Sequence, residues 1–304
     1  MSVVESIVTI GGERLDVAVS AAAGVSRSQA ARMIDAGAVR VSGVARPRSY
    51  RVESGERLRI ELPAAPPTPA PEAIDVPVVY EDEWLLVVAK PAGLVVHPAP
   101  GHPSGTLVNA LLARAGRLPG DAARPGIVHR LDAGTSGLMI VAKDADALER
   151  LKEMLAARRI ERTYLALVEG APPPSGEIDA PIGRSPKHRK KMAVVAGGRE
   201  ARTSFRRLER LRETSLVQVK PETGRTHQIR VHLAAAGHPV AGDSVYGRNR
   251  TLAAELGLDR PFLHAAAIAF EHPVTREPVS LTEDLPGDLR RALDAARAGA
   301  RTSR

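Results

Sequence analysis

The chain has 304 residues, 43% hydrophobic but only 3% aromatic, enough for one large domain and a smaller one with cores of Leu, Val, Ile and Ala. Its formal charge of +8 points to a polyanionic partner, because Lys and Arg near phosphates release condensed counterions, although a solvated Arg-rich surface gives the same number. The absence of cysteine excludes a disulfide framework, a thiolate zinc site and a thiol nucleophile. The first residues lack a basic stretch followed by a long apolar run, and no segment has the length of a membrane span, so the expectation is a cytoplasmic protein with no membrane association.

Residues 1–62 read as a self-contained unit. Helices are predicted over 14–22 and 27–36, the second opened by a capping box at Ser26-Arg27-Ser28-Gln29 and stopped at Gly37. Val39–Val41 and Arg57–Leu62 alternate as strands, with Ser42-Gly43 as a turn. Arg27, Arg32, Arg40, Arg46, Arg48 and Arg51 crowd this unit, and in the plainest reading they are a solvated face. Residues 63–75 are a Pro-rich linker, extended because proline neither donates a backbone hydrogen bond nor continues a helix. Over 76–287, strands are predicted at 76–80, 84–89, 162–169, 202–208, 216–220 and 263–270. Helices are predicted at 106–115 and 144–158. Few strand-helix-strand crossovers and no Gly-rich phosphate loop make this an α+β pattern rather than a doubly wound one. Residues 288–304 read as a basic tail, a short helix at most and then disorder.

Two segments carry the chemistry. In Gly126–Gly137, the sequence GIVHRLDAGTSG holds Asp132 in a Gly- and Thr-rich stretch where an aspartate is ordinarily a turn former. In Glu222–Leu233, ETGRTHQIRVHL sets Arg225, His227, Arg230 and His232 at the start of a predicted amphipathic helix. The histidines at 97, 102, 129, 227, 232, 238 and 264, seven of the nine in the chain, are scattered, and none forms a His-Glu-x-x-His pair, so neither metal nor cofactor is expected.

HRLDAGTSGLMIVAK and ETGRTHQIRVHL resemble the two most diagnostic motifs of the RluA-type pseudouridine synthases. KPAGLVVHPAPGHPSGTLVNALL, RTYLALVEG and HPVAGDSVYG are similar to further blocks of that family, in the same order. Residues 13–62, with SRSQAARMIDAGAVRVSG among them, resemble the small RNA-binding module named after ribosomal protein S-four. The resemblance implies a mixed, largely antiparallel sheet with a central RNA-binding cleft, plus that small α/β module. It implies Asp132 as the catalytic aspartate, Arg230 as its partner, and Tyr164 as the active-site tyrosine that packs on the base. Arg130 corresponds to the arginine that enters the RNA stack when the target nucleotide leaves it. It also puts the basic cluster Arg184–Lys191, with Lys187, Arg189 and Lys190, on a loop that closes over RNA. Arg225, His227 and His129 are expected near the RNA backbone, with Arg27 and Arg32 contacting RNA from the first unit.

The chemistry fits one carboxylate. Moving a sugar from N1 to C5 of the same uracil is an internal transfer, so the base is retained and no second carboxylate is needed to activate water. Asp132 at the anomeric carbon, Asp132 assisting a glycal route and Asp132 at C6 all remain open. The expected partner is large-subunit ribosomal RNA, bound by a monomer. The alternatives are tRNA, a non-catalytic RNA-binding assembly protein and a glycoside hydrolase. Ala133-Gly134 and His102-Pro103-Ser104 depart from the commonest forms of the family's blocks.

Overall fold

Between Pro67 and Thr68 the chain divides into two units with separate cores, in a computed structural model that describes residues 2–62, 68–99, 101–188 and 191–301. The first unit comprises β1 (Ser2–Ile7), α1 (Leu15–Ala23), α2 (Arg27–Asp35), β2 (Val39–Val41) and β3 (Arg57–Leu62), its strands antiparallel in the order β1-β3-β2. The predicted capping box opens α2: the Gln29 N–H donates to Ser26 Oγ at 3.2 Å, and the Ser26 N–H donates to Gln29 Oε1 at 2.9 Å. Ser42 and Gly43 both have positive φ, 47° and 84°, the twist a tight hairpin turn requires. Strand β1 is not evident from sequence because Val3 and Ile7 point to solvent, which hides the alternation that marks a half-buried strand.

The second unit runs β4 (Val78–Glu81), β5 (Leu85–Lys90), α3 (Leu107–Ala115), β6 (Ser136–Ala142), α4 (Ala145–Ala156), β7 (Glu161–Glu169) and β8 (Ser175–Asp179). It continues with β9 (Ile182–Arg184), β10 (Met192–Val194), β11 (Arg202–Arg210), β12 (Thr214–Pro221), α5 (Gln228–Ala235), α6 (Arg250–Glu255), β13 (Leu263–Glu271), β14 (Pro278–Thr282) and α7 (Gly287–Arg301). Its main sheet has the order β4-β5-β6-β13-β7-β12-β11-β8, with β14 on β13. Every pairing recorded in it is antiparallel except β13 with β6, which bears out a mixed, largely antiparallel α+β fold.

Strands β5 and β6 are buried on both faces. Leu86, Val88, Met139 and Val141 enter the larger core, while Leu85, Val87, Leu138 and Ile140 meet Leu148, Leu151 and Met154 of α4. The parallel contact brings Ala265 so close to Gly137 (φ 111°) that a Cβ there would collide with the Ala265 backbone, so only glycine fits where the chain leaves the Asp132 turn and enters β6.

Three expectations are corrected. The tail from residue 288 is not disordered as far as Arg301: α7 buries Leu289, Ala292, Leu293 and Ala296 at helical spacing against the larger core. The C-terminal half of the expected linker is pinned, since Asn109 Nδ2 donates to Ala70 O at 2.7 Å and the Glu72 N–H donates to Asn109 O at 3.0 Å; residues 63–67 lie outside the described residues. Helix α5 is not amphipathic, because all of Gln228 to Leu233 are buried. Its polar residues are satisfied inside: Gln228 Nε2 donates to Arg202 O and Thr203 Oγ1, and the His232 ring bonds Thr203 Oγ1 and Ala180 O.

Candidate active site

Asp132 sits in a turn closed by the Thr135 N–H donating to Asp132 O at 3.0 Å. Three side chains hold that turn from outside. Lys90, 1% exposed, donates to Ala133 O at 3.2 Å and to the carbonyls of Pro91 and Leu94 at 2.8 and 2.9 Å. Arg260 donates to Gly134 O at 3.1 Å and is itself gripped by Asp288 of α7 through Nε at 2.6 Å and Nη2 at 3.0 Å. Ser136 Oγ bonds His264 Nδ1 at 2.9 Å. A short polar turn is thereby made rigid, a condition for placing a reactive carboxylate within a few tenths of an ångström.

Arg230 of α5 reaches Asp132 across the sheet. Its Nη1 donates to Asp132 Oδ2 at 3.0 Å, while Nε and Nη2 donate to the two oxygens of the fully buried Asp243 at 2.7 and 2.8 Å. Burial works against both charges of the inner pair, but their mutual hydrogen bonds prevail and hold Arg230 above, and Asp243 below, the ordinary range. Asp243 Oδ1 also accepts from the N–H groups of Val245 and Tyr246 at 2.9 and 3.1 Å. The other side of Asp132 is faced by His227, whose Nε2 lies 4.0 Å from Oδ1 and whose Nδ1 is 2.9 Å from Tyr246 Oη. His227 has φ 56°, a left-handed conformation uncommon outside glycine, which these contacts sustain at the start of α5. Burial pushes its imidazole below the usual histidine value, with the Asp132 charge pulling the other way.

Asp132, His227 and Arg230 line a cavity of about 250 Å³ together with Arg130, Arg162, Tyr164, Pro221 and Arg225. Among the described residues Asp132 is its only carboxylate. Tyr164 on β7 is 6% exposed, and burial holds its hydroxyl above the ordinary tyrosine value. Arg130 is exposed and has no partner among the described residues, whereas Arg225 is half-buried and donates through Nε to Glu200 O at 2.8 Å.

The remaining expected RNA contacts divide unevenly. His129 is buried, its Nε2 accepting from the Ile140 N–H at 3.1 Å, and burial draws it down to about 3; it braces β6 rather than presenting a charge. Lys187 is exposed on the loop joining β9 and β10, while Arg189 and Lys190 lie outside the described residues. That hairpin is tied to the Asp243 turn by the Met192 N–H donating to Tyr246 Oη at 3.1 Å and Lys191 Nζ donating to Val245 O at 2.9 Å. In the first unit Arg27 donates to Asp16 at 3.1 Å, and Arg32 is exposed without a partner among the described residues. Among those residues no three His, Asp or Glu side chains converge into a metal site, and no helix is long and apolar enough to cross a membrane.

Sequence reasoning gave no role to Lys90, Asp243, Tyr246, Arg260 or Asp288. The first three stand inside blocks already noticed, KPAGLVVHPAP and HPVAGDSVYG, and a charged or aromatic residue within an otherwise apolar or Gly-rich block is the signal that could have found them.

A rigid aspartate turn joined by a shared guanidinium to a buried second carboxylate, on a largely antiparallel sheet beside an arginine-rich cavity, is the arrangement of an RNA-modifying isomerase. The chain belongs to the RNA pseudouridylate synthase family, whose sequence profile matches residues 84–235, and an S4 domain profile matches residues 13–58. It is 45% identical to ribosomal large subunit pseudouridine synthase D of Xanthomonas campestris, over 90% of this chain and 85% of that one. It is 48% identical to an uncharacterized RNA pseudouridine synthase of Chloroflexus aurantiacus, over 87% of this chain and 84% of that one. Among solved structures, human RNA pseudouridylate synthase domain containing 1 matches with a TM-score of 0.58 at 29% identity, covering 71% of this chain and 85% of the human one.

Proposed function

We propose that the chain isomerises specific uridines of large-subunit ribosomal RNA to pseudouridine, acting as a cytoplasmic monomer, with Asp132 as the catalytic carboxylate. The observation that carries this reading is that Asp132 is the one carboxylate lining the cavity among the described residues, bonded to Arg230 and sharing the cavity with Arg130, Arg162, Arg225 and the buried Tyr164. Hydrolysis of a glycosidic bond uses two carboxylates, one of them to activate water or protonate the leaving group; a transfer that keeps its base needs only one. Arg230 fixes the Oδ2 oxygen, leaving Oδ1 for the sugar or base. The target nucleotide leaves its stack at a cost of a few kcal/mol. Exposed Arg130 offsets that cost by filling the gap, and Tyr164 by stacking on the uracil. Lys187 and the cationic residues around it contact phosphates, as Arg32 does from the S4 domain. The ribosomal assignment is supported by relatives named ribosomal large subunit pseudouridine synthase D at 43–45% identity.

The test is to map pseudouridines by carbodiimide modification and primer extension in cells with the gene, without it, and with Asp132→Asn. Loss of defined large-subunit signals in the last two is the expected result. A signal lost from tRNA alone moves the substrate, and unchanged RNA throughout leaves an RNA-binding protein without this activity.

A further inference from the structure

Arg162 is the one buried cation of the cavity whose hydrogen-bonding capacity is largely unused. It is 8% exposed, and among the described residues only Nη2 has acceptors, the carbonyls of Pro221 at 3.1 Å and Thr223 at 3.3 Å. Nε is buried without an acceptor among the described residues, and Nη1 lies beside Gly224 in the cavity wall, 3.5 Å from where a Cβ of that residue would stand. Burying a guanidinium costs several kcal/mol unless its donors are met, and with Nε closed off inside the protein, Nη1 at the cavity wall is the donor that a ligand in the cavity can satisfy. The neighbouring cations are otherwise occupied or outside: Arg230 has all three nitrogens on carboxylates, Arg225 donates to Glu200 O, and Arg130 is exposed.

The position of Arg162 indicates the chemistry of that ligand. It precedes Tyr164 by two residues on β7, so both side chains leave the same face of the strand, and its charge acts on the Tyr164 hydroxyl. We propose that Arg162 stabilises the negative charge of the uracil base while the base is detached from its sugar, an inference that rests on Asp132 being the catalytic carboxylate. By either route in which Asp132 acts at the sugar, the C1′–N1 bond breaks and its electron pair stays with the base. The resulting anion spreads over N1, O2 and O4. After the base turns, C5 forms the new bond to C1′, the C5 proton passes to solvent, and N1 takes up a proton, so the overall change is an isomerisation. A preorganised guanidinium, itself largely buried in the cavity wall, is worth most when that anion exists, and it also keeps the free base from diffusing away. A phosphate is a poorer occupant, because it would have to be stripped of water deep in the cavity while exposed cations stand outside.

The experiment uses the full chain and an unmodified transcript of the host's large-subunit rRNA carrying tritium at C5 of uridine, so that release of tritium to water reports the new C5–C1′ bond. Arg162→Gln keeps an amide donor for the Pro221 and Thr223 carbonyls but removes the charge; Arg162→Lys keeps the charge. The expected result is a single-turnover rate lower by about 100-fold in Arg162→Gln, with RNA affinity within threefold of the parent and recovery of at least tenfold in Arg162→Lys. A transcript containing 5-fluorouridine, whose fluorine stabilises the base anion, is followed by loss of the N1-linked nucleoside and should reduce the defect of Arg162→Gln to less than tenfold. The inference is overturned by a rate within threefold of the parent, by a loss residing in affinity alone as a phosphate contact would give, or by equal losses in Gln and Lys. Asp132→Asn is run alongside: an inactive parent refutes the large-subunit substrate, an active Asp132→Asn refutes the catalytic role of Asp132, and an active parent with an inactive Asp132→Asn makes the Arg162 variants decisive.

Discussion

Arg230 and Asp243 form a two-point pair, Nε to Oδ2 at 2.7 Å and Nη2 to Oδ1 at 2.8 Å, that aims the third guanidinium nitrogen at Asp132. The pair fixes both the distance and the plane of the guanidinium, since the bidentate geometry leaves no rotation about the side-chain axis. Asp243→Asn keeps the shape but removes the charge and one acceptor. It should lower stability by about 3–5 kcal/mol, the cost of leaving a buried charge under-compensated, and slow single-turnover isomerisation at least tenfold. Urea unfolding and the tritium-release rate check the two effects separately; a stable variant with an unchanged rate would remove Asp243 from the support of the site.

In the S4 domain, Asp16 accepts from Arg14 at 3.0 Å and from Arg27 at 3.1 Å, and the hydrogen bond from Arg14 is the main reason its carboxyl is lowered to about 2, burial opposing it. A carboxylate depressed in the folded state contributes stability that is complete above its unfolded value near 4 and is lost as pH falls toward about 2. Both arginines are substantially exposed, so the contribution is about 1 kcal/mol. Amide hydrogen exchange over residues 15–35 should therefore be faster in Asp16→Asn than in the parent at pH 7, and the ratio should approach one at pH 2. A ratio that does not change with pH would refute the assignment.

The sequence disclosed what is local. The capping box at Ser26, the turn at Ser42-Gly43 and most strands of the large sheet follow from neighbouring residues alone, and the Asp132 and Arg230 motifs are contiguous stretches. The supports of the site are not local: Arg260 bonds the carbonyl of Gly134 and the carboxylate of Asp288, and Lys90 bonds Ala133, pairings that only the folded sheet creates. Helix α5 departs from its sequence pattern because its polar residues suggest a wet face, whereas Gln228 and His232 find partners on β11 and beside the end of β8. The C-terminal helix was visible in principle, since Leu289, Ala292, Leu293 and Ala296 share a helical stripe, but Ala and Arg between them masked it.

That helix yields a direct test of the corrected tail. Leu289 is 0% exposed in the larger core, next to Asp288, which grips Arg260. Leu289→Ala should destabilise the catalytic unit by about 2–5 kcal/mol through lost transfer energy and the cavity left behind, measured by the midpoint of urea unfolding. A disordered tail predicts no change. Because Arg260 holds the turn beyond Asp132, the rate should fall as well, even at urea concentrations far below the unfolding transition.

Lys90 offers a prediction in which stability, pH and catalysis meet. Its ammonium donates to three carbonyls, those of Pro91, Leu94 and Ala133, which matches its three protons, while burial draws it down to about 7 against the pull of Asp132. The folded value lies below the unfolded one near 10.4, so between these limits the unfolded chain holds a proton that the native lysine has released, and stability from this group rises with pH. Lys90→Met preserves the length of the side chain but leaves the three carbonyls unpaired. It should cost about 2–4 kcal/mol at pH 7, given 1–3 kcal/mol for each buried group left unsatisfied and partial relaxation around it. The difference in stability between parent and variant should then widen as pH is raised from 7 to 10, as the parent gains what the variant cannot. A gap that stays constant instead would show that native Lys90 keeps its proton throughout, with the three carbonyls outweighing burial. In either case the Ala133 carbonyl loses its tether, and the tritium-release rate at saturating RNA should fall at least tenfold because the Asp132 turn is then free to shift.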